Sequence, residues 1–354
     1  MKILVTGGTG FLGAHLVPLL VGLGHEVRVI ARTALPAAWG DKVTYIKGSL
    51  TERDVVRGAL EGVEAIYHLA GLVSFKPEDG RKMYELHVDG TRHLLEAAAR
   101  AKLQRIVLAS SSGTIGVSRV RRVATEADDY PIETVGRWPY YLSKIYEEKI
   151  ALELSRRGLP IVILNPSLLL GPGDVRMSST QDIFRFLVGR IPVMPRGGIS
   201  FVDVRDAAKA FVSALTHGNV GERHLLGAAN WEFTEFFARL GRIAHQAPPL
   251  LRMPSSLKVS AAHFLEKWAR DRGREPDLPA SDVEMGECWF FIDSSRSERL
   301  LGFRPRAPVE TLTDTVRYVQ RNFIASAAEP SRSSNAAPFG SARPPAKPSG
   351  SEGA

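Results

Sequence analysis

Lys2-Ile3-Leu4-Val5-Thr6-Gly7-Gly8-Thr9-Gly10-Phe11-Leu12-Gly13 opens the chain, and the fold turns on how it is read. A short β pattern runs into glycines spaced three apart at 7, 10 and 13, and an apolar helical pattern follows over 11–22. A strand, a glycine-rich turn and a helix in that order make a backbone cradle for a pyrophosphate. Gly7 permits the tight turn, Gly10 lets the main chain approach the phosphates, and Gly13 lets the helix pack close to the strand. The N–H groups at the helix start then face the negative charge. An ordinary strand–turn–helix can also carry three glycines; the strand before and the helix after are the context the phosphate reading requires.

Outward from this motif, strand and helix patterns alternate. Strands are predicted at 2–6, 26–31, 43–47, 64–69, 104–110 and 160–164, and helices at 11–22, 51–60, 80–101 and 138–157. Such alternation implies an α/β fold with a Rossmann-type, doubly wound parallel sheet covered on both faces. Residues 1–165 are expected to form mainly this dinucleotide-binding domain. The pattern then becomes irregular, with Gly171-Pro172-Gly173 and 192–198 marking loops. A strand near 222–226 and helices near 205–216, 232–245, 255–272 and 308–323 follow. Residues 166–324 are read as a smaller C-terminal substrate-binding part with some segments returning to the sheet. Residues 325–354, rich in Ser, Ala, Pro and Gly, are expected to be a disordered tail.

The 354 residues are 44% apolar and 24% charged, ordinary for a folded enzyme, with a net charge of +8. The cations are dispersed, with no block longer than Arg121-Arg122 or Arg156-Arg157. Without a clustered basic stripe and interleaved aromatics, nucleic acid is not an expected partner. Cys288 is the one cysteine and sits in the apolar run Cys288-Trp289-Phe290-Phe291-Ile292, which reads as core or sheet. No Cys or His spacing suits a metal, so none is expected. No apolar run reaches membrane-spanning length and no signal peptide is read, so the protein is expected in the cytoplasm, without stable membrane insertion.

Two further segments carry chemistry. In Tyr140-Tyr141-Leu142-Ser143-Lys144, only Tyr140 has a lysine four residues on, which places phenol and ammonium on one helical face. A nearby ammonium is expected to lower the phenol pKa and fit it for proton transfer to or from a hydroxyl or carbonyl. The lysine can also reach the ribose of a nucleotide; the plainer alternative is a solvated helical pair. Upstream, Val107-Leu108-Ala109 leads into Ser110-Ser111-Ser112, at the carboxyl end of a strand where open parallel sheets bind ligands. A serine there could hold a substrate oxygen, or could simply satisfy its own turn.

Together these elements resemble an extended short-chain dehydrogenase/reductase, of the NAD-dependent epimerase/dehydratase superfamily. The resemblance rests on Thr6–Gly13, on His68-Leu69-Ala70-Gly71, on the Ser110–Ser112 cluster and on Tyr140-x-x-x-Lys144. Asn165-Pro166-Ser167, Gly171-Pro172-Gly173-Asp174 and Phe201-Val202-Asp203-Val204-Arg205-Asp206 extend it to about residue 323. It implies Tyr140 as general acid/base and Lys144 as its tuner and ribose ligand, with the serine role falling on Ser111 or Ser112. It implies cofactor contacts from Gly7, Thr9, Gly10, Phe11, Leu12, Gly13, Arg32, Ser49, Leu50, Leu69, Ala70, Gly71 and Pro166. Two positions depart from the family. His87 stands where an Asn is frequent, either replacing its hydrogen bonds or merely packed, and Ser49 replaces an Asp that contacts adenine.

The second predicted strand ends Val29-Ile30-Ala31-Arg32, without the acid that binds a ribose 2′-hydroxyl in NAD-preferring members. An acid would repel a 2′-phosphate and an arginine attracts it, so NADP is expected, with Arg32 on the phosphate and NAD as the alternative. The Tyr140–Lys144 and Asn165–Ser167 segments are most similar to the dihydroflavonol-reductase-like group. That group implies hydride reduction of a ketone or aldehyde on a hydrophobic small molecule. Trp231, Phe264, Trp268, Trp289, Phe290 and Phe291 could face such a substrate, although aromatics at these spacings are more often core. The alternative is a nucleotide-sugar epimerase or dehydratase using NAD, for which Arg185, Arg190, Arg196 and Arg252 are available. A non-catalytic dinucleotide sensor is a second alternative, disfavoured because both Tyr140 and Lys144 are present. The resemblance also allows a homodimer through the helices at about 80–101 and 138–157. On the 255–272 helix, Leu257, Ala261, Phe264, Leu265 and Trp268 share a face. That face is expected to pack on its own domain, with a membrane surface as the alternative.

Overall fold

The computed structural model describes residues 1–274, 276 and 279–325. The expected tail lies, beyond Ala325, outside the described residues. Twelve strands occur among them: β1 Lys2–Thr6, β2 Glu26–Ala31, β3 Val43–Lys47, β4 Ala65–His68, β5 Arg105–Ala109 and β6 Val123–Ala124, then β7 Ile161–Pro166, β8 Leu168–Leu170, β9 Gly198–Asp203, β10 Arg223–Leu226, β11 Ala229–Glu232 and β12 Trp289–Ile292.

Seven of these form one parallel sheet in the order β10-β7-β5-β4-β1-β2-β3. The strand sequences explain why it is buried on both sides. Ile3 and Val5, Val27 and Val29, Tyr67, Val107, and Val162 and Leu164 pack into one core layer. The alternate residues Leu4, Ile30, Ile66, Ile106, Leu108, Ile161 and Ile163 enter the other. Side chains alternate across a strand, so a near-continuous apolar run fills both layers at once. The Phe11–Gly22 helix covers the first layer through Leu16, Val17 and Leu20, beside Ala207, Ala208 and Phe211 of the Val204–Ser213 helix. Strand order reverses between β1 and β4, and the carboxyl ends of β1, β2, β4 and β5 open there, where such sheets bind ligands.

A second, five-stranded sheet stands beyond that edge, in the order β11-β9-β12-β6 with β8 on β9. Sequence patterning missed most of it, because its strands are two to six residues long. Runs that short carry little periodicity. β10 falls where the 222–226 strand was expected and returns to the main sheet beside β7. Cys288 is buried just before β12, and burial pushes its thiol up to about 11, consistent with an inert core residue.

One expected helix differs in form. The 80–101 segment is not a single α-helix: it consists of α-helix over Gly80–Tyr84, a π-helical stretch over Glu85–Gly90, and α-helix over Thr91–Ala98. The π stretch turns His87 inward, and such insertions recur at functional sites.

Candidate active site

The glycine-rich turn has the geometry its spacing predicts. Gly7 adopts φ +70°, and a side chain there would meet the Ala70 nitrogen at 2.6 Å, so the turns after β1 and β4 touch backbone to backbone. A Cβ on Gly13 would fall 2.5 Å from the Gly8 carbonyl oxygen, which holds the helix against the strand end. Gly10 differs: only the Gly7 oxygen, at 3.2 Å, lies near its absent side chain, so the backbone there is open to an incoming group. Gly10 also precedes the first turn of the Phe11–Gly22 helix, which has no acidic residue to compete for an anion. The cradle therefore fits a dinucleotide pyrophosphate.

The other expected cofactor residues line the same edge. Thr9 and Phe11 are half-buried beside the turn, while Leu12 and Leu50 are buried in the core, leaving their backbones as the groups that could face a ligand. Leu69, Ala70 and Gly71 follow β4, and Pro166 ends β7. Arg32 is exposed immediately after β2. Lys47, which the sequence reading overlooked, is the register partner of Ala31 on β3 and is also exposed. Ser49 is already engaged: its N–H donates to Glu52 Oε1 (2.9 Å) and its hydroxyl accepts from Thr51.

Tyr140 lies in the first turn of the Pro139–Arg156 helix, half-buried against Phe75, Tyr141 and His87. The Ser111 side chain lies near its phenol and lowers the phenol's pKa, while Ser111 Oγ accepts from the Gly113 N–H of its own turn (3.2 Å). Of the two serine candidates, Ser111 is the one near the phenol, while Ser112 is buried in the turn that follows. Gly113 makes room for the neighbouring ring, since a Cβ there would strike Tyr141 at 2.0 Å. Tyr141 is thus a packing residue, wedged among Phe75, Trp138 and Phe290.

The expected lowering of the Tyr140 pKa is not what this structure has. Burial pushes the phenol up to about 12, the nearby Ser111 side chain pulls it down, and the Glu147 charge raises it. The reason is where the ammonium goes. Lys144 Nζ donates to the Ala109 carbonyl (2.8 Å) and is in contact with the Glu147 carboxylate. Its charge is directed at Glu147, one turn deeper in the helix, rather than at the phenol.

Glu147 is the main residue that sequence reading missed. It is wholly buried and joins a chain of polar side chains crossing the sheet edge. The Ala70 N–H donates to Thr6 Oγ1 (3.3 Å), the Thr6 hydroxyl meets His68 Nδ1 (2.7 Å), and His68 Nε2 meets Thr91 Oγ1 (2.7 Å). The Thr91 hydroxyl then donates to Glu147 Oε1 (3.2 Å). With His68 neutral and its proton on Nε2 every donor finds an acceptor, and burial does hold its pKa down to about 3. The chain thereby ties the start of the glycine-rich turn to the helix that carries Tyr140 and Lys144.

Burial pushes the Glu147 carboxyl up to about 7 from its ordinary 4.5, against the pull of Lys144 and Thr91. Between those values the unfolded chain releases a proton that the folded chain keeps. The stability associated with the protonated carboxyl is full below about pH 4.5 and is lost as pH rises through about 7. Glu147→Gln is expected to flatten that decline. Urea unfolding of both proteins across this window measures it, and parallel pH profiles would contradict the assignment.

His87, ambiguous in the sequence, makes a second tie. The Leu72 N–H donates to its Nε2 (2.9 Å), so the ring proton lies on Nδ1 and is given to Ser143 Oγ (2.8 Å). The Ser143 hydroxyl in turn donates to the Tyr140 carbonyl (2.8 Å). His87 therefore hydrogen-bonds the loop after β4 to the first turn of the Tyr140 helix. Glu148 does similar work on the other side, accepting from Thr114 (2.8 Å) and Asn165 (2.5 Å) and bonded to Ser110.

The second-half residues sort differently from expectation. Of the six aromatics, only Phe290 approaches the tyrosine pair, 6.1 Å from Tyr141. Trp289 and Phe291 are buried, and Trp231 packs on Phe201 (5.0 Å). Phe264 and Trp268 are exposed, 68% and 45%, so the face of the 255–272 helix expected to pack on its own domain does not. Of the arginines, Arg185 is ion-paired with Asp182 and Asp282, Arg196 lies over the Trp289 ring, and Arg252 is exposed.

The family profile described as NAD dependent epimerase/dehydratase matches residues 3–227. A Synechocystis sp. protein provisionally assigned as a dihydroflavonol 4-reductase is 32% identical over 332 residues, which cover 90% of this chain and 94% of that protein. Sterol demethylase protein B of Methylococcus capsulatus is 31% identical over 323 residues, covering 90% and 98%. The crystal structure of gox2253 is similar with a TM-score of 0.78 at 30% identity, over 91% of this chain and 98% of that one.

Proposed function

This chain belongs to the NAD dependent epimerase/dehydratase family and is an NAD(P)-dependent enzyme of the extended short-chain dehydrogenase/reductase type; from that premise we propose that it uses NADP to reduce a ketone or aldehyde of an apolar small molecule to an alcohol. The observation that carries the reading is the placement of Ser111, just past the carboxyl end of β5, near the Tyr140 phenol, on the sheet edge that also carries the glycine-rich turn after β1. Two hydroxyls that meet there can both address one carbonyl oxygen.

A bound reduced nicotinamide supplies the hydride. The protein's part is to hold and protonate the oxygen. Ser111 donates to the carbonyl oxygen and keeps it beside Tyr140, whose phenol gives up the proton as negative charge develops. Lys144 ties the Tyr140 helix to the Ala109 carbonyl at the end of β5. The His87–Ser143 tie and the Thr6–His68–Thr91–Glu147 chain keep the Tyr140 helix in register with the cofactor loops. Phe290 against Tyr141 gives the substrate side an apolar wall. The sterol demethylase name of the Methylococcus relative also favours an apolar substrate. A nucleotide sugar would want cations for its diphosphate, and Arg185 is already ion-paired.

Mass spectrometry of the nucleotide released from freshly purified, denatured protein tests the reading. A reductase exchanges its cofactor each turnover, so an empty protein or a trace of NADP is expected. Near-stoichiometric NAD would overturn it in favour of an epimerase or dehydratase, which regenerates its cofactor in place. Arg32, with Lys47 on the adjacent strand, supports the NADP assignment. Arg32→Ala is expected to raise KM for NADPH roughly tenfold, the low end for a charge-assisted bond because the site is exposed, and to leave KM for NADH unchanged. Equal effects on both cofactors in steady-state kinetics would remove Arg32 from the 2′-phosphate.

A further inference from the structure

The Ser255–Asp271 helix carries an apolar stripe that no described residue covers. Leu257, Phe264, Leu265 and Trp268 are 53%, 68%, 59% and 45% exposed. At about 100° per residue these four fall within an arc of roughly 100°. The helix is nonetheless anchored to the molecule by another face. Lys258 is buried, donates to the Met194 carbonyl (3.3 Å) and pairs with Glu287, while Ala262 and Ala269 are buried beside it. Two exposed leucines, Leu250 and Leu251, precede the helix.

The stripe is framed by cations. Arg252 precedes it, Lys267 lies on the helix, and Arg272 and Arg274 follow, with Asp271, Glu275 and Asp277 interspersed, so the cations hold a narrow majority. Glu266 is taken by Arg270 (2.5 Å). The Arg272 guanidinium sits 3.9 Å from the centre of the Trp268 ring, so the end of the stripe joins an aromatic surface to a positive charge.

We propose that this face docks on an anionic bilayer surface, with the helix lying in the plane of the interface. Large apolar side chains on one face, flanked by Lys and Arg, suit the boundary between acyl chains and acidic headgroups. No helix among the described residues is long and apolar enough to cross a membrane, so the helix would lie on the bilayer rather than span it. A second copy of this chain fits less well. A two-fold contact through the stripe would bring the same cations against one another, and four side chains fall short of the roughly 800 Å² per partner of a stable dimer.

The surface is linked to the candidate active site. His263 of the same helix bonds to Glu284 (2.9 Å), which also pairs with Arg137 (3.1 Å), three residues before Tyr140. Docking here would bring the substrate side close to the bilayer, although the docking itself does not depend on which carbonyl is reduced.

The test is flotation of the full chain with vesicles of phosphatidylcholine alone, or of phosphatidylcholine mixed with phosphatidylglycerol. Flotation with the phosphatidylglycerol vesicles, weakened by high salt, is expected. Phe264→Ser with Trp268→Ser should lower vesicle affinity by at least roughly tenfold while the melting temperature stays unchanged, because both rings are exposed. Arg272→Gln with Arg274→Gln should weaken binding to the anionic vesicles while leaving the stripe intact. No flotation with anionic vesicles would overturn the proposal, as would flotation that survives in both double variants. So would a concentration-dependent dimer that the serine variant abolishes, which would assign the stripe to a second copy of the chain.

Discussion

Tyr140→Phe is expected to lower kcat by about a thousandfold, within the range for loss of a positioned general acid, while nucleotide affinity is kept. The substitution removes one oxygen and leaves the ring against Phe75, Tyr141 and His87. The cradle around Gly7, Gly10 and Gly13 does not depend on that oxygen, so a fluorescence titration with NADPH should be little changed. Because Ser111 loses a neighbouring hydroxyl, some KM change for the carbonyl substrate is expected as well. Turnover within a few-fold of wild type would mean that the proton comes from elsewhere. Tyr141→Phe is the control: its ring is a packing element above Gly113, and loss of its hydroxyl should leave kcat within a few-fold.

The second large effect is expected at Gly13. A methyl group there would sit 2.5 Å from the Gly8 oxygen and 2.6 Å from the Gly7 oxygen, both backbone atoms with no rotamer to yield. Gly13→Ala must push the Phe11–Gly22 helix away from the strand end, at a cost of about 1–3 kcal/mol or more. The helix start and the turn form the proposed phosphate cradle, so nucleotide affinity should fall together with the melting temperature. Gly22→Ala, at the other end of the same helix with nothing within 4 Å, should leave nucleotide affinity unchanged. Thermal melts with and without NADPH distinguish the two. A Gly13→Ala protein with normal melting and normal cofactor response would refute the steric argument.

The candidate site was legible in the sequence where its logic is local. Gly7 needs a left-handed backbone and Gly13 needs contact between a helix and its preceding strand, constraints that act within a dozen residues. Tyr140 and Lys144 share a helix, so their spacing alone sets them one turn apart. The missed groups depend on distant partners. Glu147 lies only three residues past Lys144, but its burial and its link to His68 through Thr91 need β4 and the Thr91–Ala98 helix beside it. Nothing in the spacing indicated that the ammonium would turn to this carboxylate instead of the phenol. His87 was ambiguous for the same reason, since its role lies in Leu72 and Ser143, 15 residues before it and 56 after.

By itself the sequence determined the parallel sheet, the nucleotide turn and the tyrosine–lysine pair, because period-two strands, apolar helix faces and glycine sterics are properties of short segments. Only the tertiary structure put Ser111 near the Tyr140 phenol and buried Ser112, since a turn's side chains are aimed by what packs around them. It also decided the fate of the 255–271 helix. Periodicity describes which residues share a face, but whether that face is covered depends on the neighbour opposite. Here the anchoring contacts run through Lys258, Ala262 and Ala269, and leave Phe264, Leu265 and Trp268 turned outward.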